Sequence, residues 1–127
     1  MSFSFDAKQG LIIVRTKLYG INGDTIVRLA LDTGATATMI NADILALLGY
    51  TVLPGSKRVR MTTGSGVEFV PLIHMSRLRA LGKERKNFPV VSHTLPPSAT
   101  VDGLLGLDFL RGRELRIDFR NEQITLR

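Results

Sequence analysis

Short runs of hydrophobic residues, many of them alternating with polar ones, dominate the chain, and this pattern is typical of β-strands. Residues 10–20 are rich in Ile, Val and Leu, and residues 25–32 alternate apolar and polar positions. The dipeptide Asn22-Gly23 lies between these segments and is typical of a tight hairpin turn. The pattern therefore predicts a β-hairpin whose second strand ends at Asp32.

The same criteria predict strands through most of the remaining chain. Thr63-Gly64-Ser65-Gly66 interrupts one apolar stretch and predicts a turn between two strands, and Asn121-Glu122 predicts the turn of a closing hairpin. The segments that contain these further strands are 57–75, 87–97 and 114–127.

Only two segments have a helical pattern, and both are short. In residues 41–50 an apolar face repeats at helical spacing, Asn41 can cap the first turn, and Gly49 can end the helix. Residues 101–112 predict a tight apolar strand, a glycine and then one helical turn. The fold class expected from the whole pattern is mainly β, with one or two short helices.

Length and composition favour a single domain over residues 1–127, since the chain has 127 residues. It contains no cysteine, which excludes disulfides and a thiol nucleophile. The first ten residues lack the pattern of a secretory signal, and the longest nearly apolar run, residues 44–53, is too short to span a bilayer. We therefore expect a cytoplasmic protein that does not enter a membrane.

The net charge of +6 arises in the middle of the chain, because residues 57–86 contain eight basic and two acidic residues, whereas the rest contains nine of each. A solvated surface is the favoured interpretation. A basic module that binds nucleic acid through residues 57–86 is the alternative. No aromatic residue interleaves with the basic ones between Lys83 and Lys86, so a nucleic-acid partner is not expected.

An acid follows an apolar run in the stretch LALDTGATAT, residues 29–38. A carboxylate in such a position is usually hydrogen-bonded or paired. Asp32-Thr33-Gly34 is good turn chemistry, so on the triplet alone a plain turn is the simpler interpretation. The wider pattern of the chain changes that preference.

Three ordered elements resemble those of aspartic proteases. Asp32-Thr33-Gly34-Ala35, preceded by Leu29-Ala30-Leu31, resembles the catalytic loop, and Leu104-Leu105-Gly106 resembles the element that supports it. The hairpin expected at 58–71 stands where this family has its flap. With one Asp-Thr-Gly in a chain of this length, the sequence resembles a single-lobe retropepsin-like protease of the cellular or bacterial type. The resemblance implies a closed acid-protease β-barrel lobe.

The resemblance also implies an aspartic endopeptidase that is active as a homodimer, in which Asp32 of each chain activates one water molecule. Its partners would be a second copy of itself and a peptide or protein substrate, with no metal and no cofactor. Thr33, Gly34 and Ala35 would support the catalytic loop. The substrate-binding residues implied by the resemblance are Ala30, Gly34, Thr63, Gly64, Ser65, Gly66 and Leu104.

One departure from the retroviral pattern keeps an alternative open. Retroviral members often carry an acid after the Ala of the motif, and it pairs with a basic residue of the second helix. Here Thr36 and Ala37 follow the motif, and Leu107 and Asp108 stand at the second helix, so that ion pair is absent. The alternative is a catalytically silent module of the same fold that dimerises or binds peptides.

Overall fold

The computed structural model of the chain describes residues 1–63 and 66–127. These residues form ten strands and two short helices. They are β1 (Ser2–Ser4), β2 (Ile13–Gly20), β3 (Gly23–Leu31), β4 (Met39–Asn41), α1 (Ala42–Leu47), β5 (Arg58–Thr63), β6 (Gly66–Ala80), β7 (Lys83–His93), β8 (Gly103–Leu105), α2 (Leu107–Leu110), β9 (Leu115–Asp118) and β10 (Gln123–Leu126).

Six strands close into a barrel, in the order β2-β3-β8-β4-β7-β6, because β2 pairs with β6 as well as with β3. Closure removes the unpaired edges that an open sheet would present. The strand β5 extends the barrel beyond β6, and β1, β10 and β9 form a separate three-stranded sheet. The predicted fold class, a mainly β retropepsin-like barrel with short helices, is confirmed.

The alternation in the sequence reappears as an inner and an outer face of the barrel. In β2, Val14, Thr16 and Leu18 are buried, whereas Arg15 between them is exposed. The helix α2 adds Phe109, which is fully buried and packs edge-on against Phe88 of β7. Burial of one such side chain contributes about 2–3 kcal/mol, so α2 is anchored mainly by apolar contact.

The helix α1 forms where the sequence predicts it. The Asn41 side chain accepts a hydrogen bond from the Asp43 N–H at 3.2 Å, which caps the first turn. Gly49 ends the segment with a φ of 95°, a conformation that glycine adopts without steric cost.

Two predicted turns differ from the structure. Gly20 pairs with Gly23, so Ile21 and Asn22 form the first turn, and the prediction of Asn22-Gly23 was wrong by one residue. Asp118 pairs with Gln123, so the closing hairpin has a four-residue loop instead of the two-residue Asn121-Glu122 turn. The predicted Gly64-Ser65 turn lies outside the described residues.

One hairpin was missed in the sequence. The strand β7 begins at Lys83, not at Asn87, and pairs with β6 from Ala80 onward. Leu81 and Gly82 connect them with φ values of 51° and 75°. A leucine gives no turn signal, and the left-handed conformation is costly for it. Among the described residues, no helix is long and apolar enough to cross a lipid bilayer.

Candidate functional site

The backbone at Asp32 is fixed by two neighbouring strands. The strand β3 runs parallel to β8, with Leu31 in register with Leu105. Asp32 follows β3 directly, and its N–H donates to the Leu105 carbonyl at 3.0 Å. On the other side, the Leu31 N–H donates to the carbonyl of Ile12 at 2.8 Å. The position of Asp32 is therefore set by main-chain bonds that do not depend on its side chain.

The carboxylate of Asp32 is held through one of its two oxygens. Oδ1 accepts a hydrogen bond from the Gly34 N–H at 2.9 Å. A Cβ at position 34 would lie 3.1 Å from that oxygen, closer than most side-chain contacts, so glycine suits this close approach. Within the described part of the chain, Oδ2 has no hydrogen-bond partner. This half-buried carboxylate is therefore oriented through Oδ1.

A tight turn follows Asp32. The Ala35 N–H donates to the Asp32 carbonyl at 3.2 Å, and the Ala35 carbonyl accepts from the Leu107 N–H at 2.8 Å. The turn is thereby tied to the start of α2. Thr33 is exposed at its tip, and its hydroxyl has no partner among residues 1–63 and 66–127.

A second acid fixes the far end of the loop. Thr38 is fully buried, and its hydroxyl donates to Asp108 Oδ1 at 2.7 Å. The Thr38 N–H points at the same carboxylate, 3.0 Å from each oxygen. The Thr38 hydroxyl also accepts from the Gly106 N–H at 3.1 Å. We call this set of bonds between Thr38, Gly106 and Asp108 the loop clamp.

The loop clamp was not found by sequence reasoning. Asp108 lies in the second helix, where retroviral members have the basic residue of their ion pair. Because Asp108 is an acid, the sequence indicated only that this ion pair is absent. A signal was nonetheless present, because an acid in the first turn of a helix commonly accepts nearby backbone N–H groups. In the structure, Asp108 accepts hydrogen bonds from the N–H and the hydroxyl of Thr38 instead of forming an ion pair.

Gly106, directly before α2, packs closely against the loop that follows Asp32. A Cβ there would lie 2.8 Å from the carbonyl oxygen of Ala37 and 2.9 Å from that of Ala35. Only glycine allows this approach, which accounts for the glycine after Leu104-Leu105.

A cleft of about 650 Å³ opens beside Asp32. Asp32 is the only acidic residue among those that line it. Most of its wall is apolar, which favours a ligand with apolar groups. The lining residues outside the Asp32 turn come from β4 and β5 and from single positions in β6, β7 and β8: Met39, Val59, Arg60, Met61, Thr62, Leu72, Val91 and Leu104.

The other predicted site residues divide into three groups. Gly34, Ala35 and Leu104 line the cleft. Ala30 is in register with Leu104 but is almost fully buried and does not line the cleft. Of the expected flap tip, Thr63 pairs with Gly66 at the end of the β5–β6 ladder, whereas Gly64 and Ser65 lie outside the described residues.

Another cavity, of about 690 Å³, lies between α1 and the β6–β7 strands. It contains Glu68 and His93, whose Oε2 and Nδ1 atoms are 3.9 Å apart. It does not reach Asp32. No group of three or more His, Cys, Asp or Glu side chains that could hold a metal ion is found among the described residues.

Comparison with known proteins agrees with this geometry. The family model described as "gag-polyprotein putative aspartyl protease" matches residues 19–112. The fold is similar to the crystal structure of a retropepsin-like aspartic protease from Rickettsia conorii, with 22% identity, a TM-score of 0.70, and coverage of 99% of this chain and 89% of that one. It is also similar to the retroviral protease-like domain of Ddi1 from Leishmania major, with 22% identity, a TM-score of 0.58, and coverage of 94% and 96%. No curated protein sequence matches the chain significantly.

Proposed function

Since this chain belongs to the family of retropepsin-like aspartic proteases, we propose that it is an aspartic endopeptidase that hydrolyses peptide bonds as a homodimer. The observation that carries the proposal is the Asp32 carboxylate, which lines a mostly apolar cleft and, among the described residues, accepts a hydrogen bond only from the Gly34 N–H.

Peptide hydrolysis by this chemistry needs two carboxylates around one water. Among the described residues, Asp32 is the only acid that lines the cleft, and in the proposed mechanism the second carboxylate comes from another chain. A twofold axis beside the Asp32 turn would bring the same residue from a second copy. The exposed hydroxyl of Thr33, at the tip of the turn, is available for a hydrogen bond across that axis.

Two carboxylates so close together cannot both be ionised easily, and the aspartic-protease pair is the standard example of this effect. The pair would therefore share one proton. In this scheme the ionised Asp32 of one chain takes a proton from the water, and the water oxygen attacks the peptide carbonyl carbon. The protonated Asp32 of the other chain gives its proton to the carbonyl oxygen. When the resulting tetrahedral diol collapses, the C–N bond breaks and a proton passes to the leaving nitrogen.

The remaining predicted residues would bind the substrate in this scheme. An extended peptide between the Asp32 turn and β5 would be held by main-chain hydrogen bonds, and apolar pockets would select its side chains. Leu104 lines the cleft and would contact one such side chain, with Ala30 behind it. Residues Thr63, Gly64, Ser65 and Gly66 would form the tip of a flap that closes over the peptide and excludes water.

Cleavage of a mixed peptide library, at high protein concentration and from acidic to neutral pH, tests the proposal. The wild type should cleave, a statine-type transition-state mimic should block the cleavage, and Asp32→Asn should abolish it. Asp43→Asn is the matched control, because Asp43 is an exposed acid in the first turn of α1. It should keep full activity.

Sedimentation of the same samples separates the proposal from its alternative. A wild-type dimer that binds the mimic without cleaving any peptide would instead support a catalytically silent binding module. Full cleavage by Asp32→Asn would refute the assigned role of Asp32.

A further inference from the structure

The outer face of the barrel carries a concentration of basic side chains that do not line the Asp32 cleft. Four neighbouring strands, β3, β2, β6 and β7, place them in register. The inward residues between them, such as Thr16, Leu18 and Leu78, are fully buried. We call this surface the basic face; its six cations are Arg15, Lys17, Arg28, Arg77, Arg79 and Lys86.

Each cation of the basic face lies directly opposite another cation, and Arg79 also lies opposite Glu84 of β7. Arg15 is the direct cross-strand partner of Arg28, and Lys17 is that of Arg79. A third such pair joins Arg77 of β6 to Lys86 of β7. Like charges in this position destabilise a sheet. Three like-charged pairs on one surface favour the binding of an anion there, because an anion would reduce their repulsion.

The acids on this face do not neutralise it. Asp24 pairs with Lys17 at 3.9 Å, and Glu84 pairs with Arg77 at 3.4 Å. In the described part of the chain, Arg15, Arg79 and Lys86 have no ion-pair partner. These three cations are therefore available to a ligand.

Aromatic rings lie among these cations. The Arg77 guanidinium stacks on the Tyr19 ring at 3.9 Å from its centroid. On the far side of Lys17, a concavity of about 410 Å³ is lined by Arg15, Lys17 and Arg79 together with Phe3 of β1. Cations along a shallow concave surface, interleaved with rings on which bases can stack, are the features of single-strand binding sites.

We propose that the basic face binds single-stranded nucleic acid through its phosphates. Four of its six cations are arginines, whose planar groups fit phosphates and stack on bases. The side chains recur along each strand about every 7 Å, so successive phosphates of an extended strand can each meet a cation. An anionic membrane is less suited to this site, because three of the cations line a concavity and not a protruding apolar surface.

Folding accounts for why the sequence alone did not favour this interpretation. The basic stretch 57–86 is divided in the structure, because Arg58 and Arg60 lie on β5, away from the basic face. Arg15, Lys17 and Arg28 join the face from strands that are distant in sequence. None of the six cations lines the Asp32 cleft, so binding here leaves that cleft open.

The test is the fluorescence anisotropy of a short labelled oligouridylate, titrated with the full chain at several salt concentrations. The wild type should bind, and its affinity should fall steeply as salt rises. Arg15→Gln/Arg79→Gln should bind about tenfold more weakly at physiological salt, and its salt dependence should be shallower by about 0.7 in log–log slope for each lost phosphate contact.

The matched control is Arg113→Gln/Arg120→Gln, which loses the same charge from exposed positions on either side of β9. It should keep nearly all of the binding. An equal loss of affinity in both double variants would reduce the effect to net charge and overturn the proposal. Binding to phosphatidylserine vesicles or to polyglutamate without binding to the oligouridylate would overturn it as well. Because none of these measurements uses cleavage, they are independent of the proposed protease activity.

Discussion

The Thr38→Val substitution isolates the contribution of the hydroxyl to the loop clamp, because valine matches threonine in shape and has a methyl group in place of the hydroxyl. The variant loses the 2.7 Å bond to the Asp108 carboxylate, and bonds of this charged kind contribute about 1.5–3 kcal/mol. It also leaves the buried Gly106 N–H without an acceptor, at a cost of about 1–3 kcal/mol. The free energy of unfolding should therefore fall by about 4 kcal/mol.

A loss of this size is a large part of the total stability of a small domain, which is about 5–15 kcal/mol. In a domain of this length it should lower the melting temperature by about 15 °C. Urea denaturation, followed by circular dichroism at a fixed protein concentration, measures the difference directly. The concentration is held constant because the proposed dimer would gain stability by mass action.

Thr38→Ser is the matched control, since it keeps the hydroxyl and removes the methyl group, at a cost of about 1 kcal/mol. In a double-mutant cycle, Thr38→Val and Asp108→Asn should couple by more than about 1 kcal/mol, because both act on the hydrogen bond from the Thr38 hydroxyl to the Asp108 carboxylate. If Thr38→Val unfolds at the same urea concentration as Thr38→Ser, the hydroxyl does not hold the loop, and the reasoning from the loop clamp fails.

Three further predictions address other parts of the fold. Gly106→Ala should lower the melting temperature by more than 10 °C, or about 3 kcal/mol, because its Cβ would lie 2.8 Å from the Ala37 carbonyl oxygen; an unchanged melting curve would contradict that contact. Asn41→Ala should cost about 1 kcal/mol in urea denaturation through loss of the α1 cap. The backbone N–H of Asn121, and then its side chain, donate hydrogen bonds to Asp118 and hold the pKa of that carboxyl below its usual value. This carboxylate therefore stabilises the fold above its unfolded pKa and ceases to do so as the pH falls through its folded pKa. Asn121→Ala should raise the pKa of Asp118, as followed by NMR titration, and an unmoved titration would exclude the side-chain bond.

The sequence predicts the strands and helices whose signals are local. Alternation of apolar and polar residues locates β2, β3, β5 and β6, and the Asn41 cap and Gly49 locate α1. The Asp32 turn and the Leu104-Leu105-Gly106 element were identified by resemblance, and the chain's membership of the family confirms that resemblance.

The features that sequence reasoning missed depend on contacts between distant segments. The strand β1 exists because Ser2, Phe3 and Ser4 pair with β10, more than one hundred residues away along the chain. The loop clamp joins Thr38 to Asp108, and no local sequence pattern predicts a bond between residues so far apart in the chain. The turn at Leu81 was missed because its left-handed conformation is imposed by the β6–β7 ladder and not by its own preference.

The parallel pairing of β3 with β8 determines when the site can form during synthesis. Asp32 emerges from the ribosome well before Leu105, whose carbonyl orients it. Pairing across such a long separation is slow, since the intervening chain has to be ordered before the contact gains free energy. A nascent chain that ends before Gly103 has the complete Asp-Thr-Gly triplet but no partner strand for it. The backbone arrangement at Asp32 can therefore be completed only after most of the chain has been made.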